Sequence, residues 1–129
     1  MTEPVWIDRR DALTLHSRLL ALHGGGDGFR DVALLESALA RAQQLYAYRE
    51  APDVIVMAAA YTAGMVRNHP FVDGNKRTGF VIGILFLELN GYRFTATEAD
   101  AAQAVIGLAS GRLDEAGYAA FLRAHTGAE

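Results

Sequence analysis

The chain has 129 residues, 51% of them hydrophobic, which suits one domain around one core and leaves no serious case for disorder. A net charge of -3 gives no general electrostatic attraction to nucleic acid or to an anionic membrane, although it leaves room for a local basic cluster. The absence of cysteine excludes disulfides, thiolate zinc sites and cysteine nucleophiles together.

The N-terminus, MTEPVWIDRRDALTL, carries acids where a secretory leader has a basic and then an apolar run, so a soluble cytoplasmic protein is expected. Asp8 to His23 sets Ala12, Leu15, Leu19 and Leu22 at helical spacing and ends in Gly24-Gly25-Gly26. No strand precedes the Gly24–Gly28 cluster and no Walker lysine follows it, so it reads as a flexible joint rather than a phosphate loop. Asp31 to Ala42 repeats the helical pattern, with Asp31 or a neighbour as N-cap. Gln43 to Pro52 reads as a less regular connection, whose alternating Tyr46 and Tyr48 suggest either a short extended flap or partial packing on the core. Asp53 to about Asn68, rich in Ala, Met and Val, predicts a largely buried helix that stops before Pro70.

After the loop His69–Asp73, a helix from about Gly74 to Asn90 is apolar on nearly every side between Gly79 and Leu89, and is expected to be the central one. Gly79 and Gly83 share a face, and each costs about 1 kcal/mol against alanine in a helix. Close approach of another helix is the natural compensation. Tyr92–Thr95 is β-prone with no second strand nearby. Helices Thr97–Leu108, capped by Thr97, and Asp114–His125 complete the chain. The longest apolar run, Phe80 to Leu87, is less than half of a membrane span. The sum is an all-α domain of six helices over residues 1–129.

Chemistry concentrates in His69–Arg77, HPFVDGNKR. Asn75, Lys76 and Arg77 fall in the first turn of the predicted central helix, where amides lack intrahelical partners and the dipole is positive. Lys76 and Arg77 have the wrong sign for that end, and a bound anion resolves the conflict. Gly74 lets a ligand approach the backbone. His69 is a candidate general base and Asp73 a candidate magnesium carboxylate, which completes the parts phosphoryl transfer from ATP requires. Taken singly, each has a plainer reading: a loop histidine, an N-cap, a turn, a solvated basic pair. Their conjunction within one short stretch favours the ATP site. His16, His23 and His125 lack metal-ligand spacing and are expected at the surface or at helix ends.

HPFVDGNKRTG resembles the motif of the Fic/Doc family, and more closely its Doc branch. The Fic pattern is His-Pro-Phe-x-Asp/Glu-Gly-Asn-Gly-Arg-x-x-Arg, and the Doc pattern is His-x-Phe-x-Asp/Asn-Ala/Gly-Asn-Lys-Arg. This chain satisfies every fixed Doc position. It departs from Fic at Lys76, where Fic has glycine, and at Phe80, where Fic has its second arginine. Gly28-Phe29-Arg30-Asp31 followed by Leu35-Glu36-Ser37-Ala38-Leu39 extends the resemblance toward the N-terminus. The resemblance implies a Doc-type toxin kinase that passes the γ-phosphate of ATP to a hydroxyl of a target protein, by analogy a threonine of elongation factor Tu, and so stops translation. On that reading His69 deprotonates the hydroxyl, Asp73 holds Mg2+, and Gly74, Asn75, Lys76 and Arg77 cradle phosphates. No Ser/Thr-x-x-x-Glu-Gly/Asn inhibitory string is present, so by analogy restraint comes from a cognate antitoxin protein. A Fic-type AMP-transferase and a catalytically silent binding module are the alternatives, and a metal hydrolase is disfavoured because one histidine and one aspartate are too few ligands.

Overall fold

Six α-helices and one two-stranded antiparallel ribbon make up residues 3–49 and 53–129, the part described by the computed structural model. The helices are α1 (Arg9–His23), α2 (Val32–Tyr48), α3 (Val54–Asn68), α4 (Asn75–Leu89), α5 (Glu98–Ser110) and α6 (Glu115–Ala124). Side chains cap five of them at the N-terminus. Asp8 forms a capping box with Asp11 on α1, while Asp31, Asp53, Thr97 and Asp114 accept from first-turn amides of α2, α3, α5 and α6. The start of α4 has no such cap.

The central helix is α3, not the expected α4. All of α3 is buried except Val56, Arg67 and Asn68, and it packs against α2, α4, α5 and α6. Its small residues Ala58, Ala59, Ala60, Ala63 and Gly64 admit neighbours on several sides, whereas α4 leaves Phe80, Ile84 and Leu85 only half-buried on its outer face. The compensation expected for the two α4 glycines is present. A Cβ on Gly79 would stand 2.9 Å from Met65 Cβ, and one on Gly83 would run into Thr62 Oγ1 and lie 3.1 Å from the Ala58 carbonyl. Thr62 Oγ1 also donates to the Gly79 carbonyl at 2.7 Å, locking the two helices in register.

Two expectations need correction. Residues 43–48 continue α2 rather than forming an irregular connection, so Tyr46 and Tyr48 lie on a helix and not on an extended flap. Tyr46 packs edge-on against Trp6, while Tyr48 is exposed. Glu50 to Pro52 of the predicted connection lie outside the described residues. The β-prone segment does have a partner: β1 (Tyr92–Phe94) pairs with β2 (Thr126–Ala128), Arg93 opposite Gly127. The Thr-Gly-Ala strand carries no alternating pattern that would have announced it. Among the described residues no helix is long and apolar enough to cross a membrane.

Candidate active site

α3 ends at Asn68, and its C-cap, His69, has φ 51° and ψ 56°. His69 is the one non-glycine residue with positive φ among those described, and it directly precedes Pro70. Such a left-handed backbone costs on the order of 1–3 kcal/mol and persists only where its surroundings over-determine it. Proline following drives the residue out of the right-handed region, as the sequence led one to expect, but the residue enters the left-handed well rather than the extended one.

The surroundings come from two directions. On the outer side the segment 26–31 runs antiparallel to the loop. Val72 N–H donates to the Gly28 carbonyl at 3.0 Å, and the N–H groups of Arg30 and Asp31 donate to the Pro70 carbonyl at 2.7 and 3.0 Å. Gly26 N–H donates to Asp73 Oδ2 at 3.2 Å. The glycine cluster is therefore not merely a flexible joint, because it forms a wall of the motif loop. On the inner side Asn75 is buried. Its Oδ1 accepts from Phe71 N–H at 3.0 Å and its Nδ2 donates to the Phe71 carbonyl at 3.0 Å. That pairing fixes the amide's orientation and sets Nδ2 3.3 Å from His69 Nδ1. The Asn75 side chain is thus engaged within the loop, and what it can offer an anion is its backbone N–H.

His16 is one of the residues whose place at the loop sequence reasoning missed. Far from lying at the surface, it is 3% exposed, and its ring stacks on Phe71 at 3.6 Å between centroids. Its Nε2 stands 2.8 Å from the Asp73 carbonyl, which can only accept, so Nε2 carries the proton. In a trans peptide the carbonyl and the following N–H point in opposite directions. Holding the Asp73 carbonyl against α1 therefore turns the Gly74 N–H away from α1. The available signal was spacing: His16 lies four residues after Ala12, on the same helical face, and these two are the buried residues of α1.

At the start of α4, Gly74 has φ 79° and the first helical bond runs from Thr78 N–H to the Gly74 carbonyl at 3.0 Å. The N–H groups of Gly74, Asn75, Lys76 and Arg77 find no acceptor among the described residues. No acid stands in that first turn, and Lys76 and Arg77 are exposed and in no ion pair among the described residues. Four consecutive free amides, a positive dipole end and two cations make an arrangement suited to an anion. His69 and Asp73, both exposed, lie on the loop leading into it. Phe80, one turn further on, is half-buried and packs edge-on against Phe94. His23 is exposed, and His125 caps α6, as helix-end histidines do.

The sequence profile of the Fic/DOC family matches residues 6–87. Among named proteins, the chain is 32% identical over 118 residues to "Protein kinase doc" of Escherichia phage P1, an alignment covering 91% of this chain and 92% of that one. It is 40% identical over 97 residues to "Toxin Doc" of Mycolicibacterium smegmatis, covering 74% of this chain and 71% of that one.

Proposed function

Since the chain belongs to the Fic/DOC family, we propose that it is a Doc-type toxin kinase, residues 1–129 acting as one domain that transfers the γ-phosphate of ATP to a hydroxyl of a target protein. The observation that carries this reading is the start of α4: alone among the six helices it lacks a side-chain cap, and it gathers free amides with Lys76 and Arg77. That is a site for polyphosphate, and an imidazole and a carboxylate flank it.

Asp73 fits magnesium. No three ligating side chains cluster among the described residues, and magnesium at phosphate sites takes one or two carboxylates, with phosphate oxygens and water filling the rest. Bound there, the ion supplies charge neutralisation of the phosphates. The remaining work falls to the chain. A His69 ring nitrogen without a proton accepts that of the target hydroxyl. The oxygen so freed bonds to the γ-phosphorus, and the bond from that phosphorus to the bridging oxygen breaks, leaving ADP and a phosphorylated target. The amides of Gly74–Arg77, with Lys76 and Arg77, meet the charge on the group in transit.

Two residues support phosphoryl over adenylyl transfer. Lys76 fills space that glycine would leave open to phosphate, and Phe80 packs on Phe94 instead of supplying a second arginine's charge. One relative's name, "Protein kinase doc", points the same way. The resemblance further suggests a threonine of elongation factor Tu as acceptor, a cognate antitoxin protein as partner and a cytoplasmic setting. Incubation with magnesium and ATP labelled at the γ or the α phosphorus tests the reaction. Label from the γ position on the target, lost in His69→Ala, is expected. Label from the α position would make the protein an AMP-transferase, and no label from either would leave a binding module.

A further inference from the structure

Arg30 directly precedes Asp31, the N-cap of α2, and a cation is disfavoured at that end of a helix. Its side chain does not stay there. Nε donates to the His69 carbonyl at 2.7 Å, and Nη2 donates to the Asn68 carbonyl at 2.7 Å. These belong to the last turn of α3, where carbonyls lack intrahelical partners and the dipole is negative. The guanidinium forms no ion pair with a carboxylate among the described residues. Its backbone N–H meanwhile holds the Pro70 carbonyl at 2.7 Å. One residue thus grips the carbonyls on both sides of the His69–Pro70 bond and a third at Asn68.

What it grips is the strained point of the site, the left-handed His69. Loss of the guanidinium removes both side-chain bonds, and the residue is then free to relax toward the extended region that a following proline favours. Such a change would carry the imidazole away from Asn75 and from the start of α4. We propose that Arg30 is a positioning residue for the transfer reaction, holding His69 in the left-handed conformation that presents its imidazole beside Asn75. The proposal rests on the reading of His69 as the base. Arg30 donates to neither the Asp73 carboxylate nor any group of α4, so its role predicts a split between nucleotide binding and turnover.

The test uses the full chain as wild type, Arg30→Ala and Arg30→Lys, each verified as folded by its melting curve. Calorimetry with magnesium and ATP gives nucleotide affinity, γ-label transfer to elongation factor Tu gives kcat and KM, and NMR coupling constants give the His69 φ. For Arg30→Ala, ATP affinity should stay within roughly two-fold while kcat drops about 10- to 100-fold, the usual result of a displaced catalytic group. Added guanidinium should restore part of the rate. Arg30→Lys, which lacks the two-pronged donor, should fall between the other two. The positive φ should be lost in Arg30→Ala. An unchanged kcat in the folded variant, a parallel loss of ATP affinity, or a retained positive φ would each overturn the proposal. A wild type that transfers no label defeats the reading of His69 as base, whereas the coupling constants still decide whether Arg30 holds that backbone.

Discussion

Asn75 carries two duties: its backbone N–H is the second in the free row of amides and its side chain closes the loop before it. Asn75→Ala would leave the N–H and carbonyl of Phe71 unpartnered in the interior. Each orphaned buried polar group costs about 1–3 kcal/mol, so a loss of about 2 kcal/mol or more is expected in urea denaturation. An unchanged midpoint would show that the loop holds without it. At this scale much of the candidate site was legible in the sequence, because His69, Asp73, Gly74, Lys76 and Arg77 fall in one short stretch whose charges contradict the helix dipole. His16, Gly26 and Arg30 were not legible as parts of it, since they reach the loop only through tertiary folding. Arg30 did leave a trace, a cation set against the N-terminus of α2, which is the same conflict of sign that singled out Lys76 and Arg77. His16→Leu would preserve bulk but lose the donor to the Asp73 carbonyl. The Gly74 amide would then be less well aimed. The variant should bind ATP several-fold more weakly, with a melting temperature within a few degrees of wild type, a shift equivalent to about 1 kcal/mol. Equal affinity by calorimetry would remove His16 from the site.

Between elements, the α3–α4 contact decides how the site is built, because α3 delivers His69 at its end and α4 begins with the amides. Their backbones approach where Gly79 and Gly83 face Ala58, Thr62 and Met65. On propensity alone Gly83→Ala should stabilise by about 1 kcal/mol. The added methyl, however, would overlap Thr62 Oγ1 and press on the Ala58 carbonyl, and overpacking of this kind costs about 1–3 kcal/mol. The packing effect should win, giving a net loss of about 1 kcal/mol by chemical denaturation, and a gain would mean that the helices can part without penalty. The helices themselves were legible, from their periodicity and from Asp31 and Thr97 as caps. Which one sits at the centre was not. Apolar character all round α4 said that it could be buried, but the small residues of α3 determine how many neighbours can approach.

For the whole molecule, buried phenols on α3 and α6 link stability to pH at the alkaline end. Burial pushes the hydroxyls of Tyr61 and Tyr118 up to about 12, against 10 for an exposed tyrosine. The folded state therefore favours the protonated phenols. Their contribution is fully present below pH 10 and is lost as the pH rises from 10 through 12, because the unfolded chain releases these protons first. On the acid side Asp53 behaves in the opposite sense. Burial works against its charge, but hydrogen bonds from Arg123 and the Ile55 amide outweigh that and hold it below its ordinary 3.8. The tie between α6 and the start of α3 is then present above that value and weakens as the pH falls below it. The two tyrosines differ in how cleanly they can be tested. Tyr61 exchanges hydrogen bonds with both backbone groups of Ile7, so removing its hydroxyl also strands a buried amide. Thr62 stands beside the Tyr118 hydroxyl, which makes no hydrogen bond of ordinary geometry among the described residues. Tyr118→Phe keeps the ring and deletes a poorly satisfied polar atom, so stability at neutral pH should change by less than about 1 kcal/mol. Between pH 10 and 12 its stability should decline with pH less steeply than wild type, by one proton's worth of slope. Urea denaturation at stepped alkaline pH measures that slope, and parallel curves for the two proteins would show that the Tyr118 phenol ionises as readily in the fold as outside it.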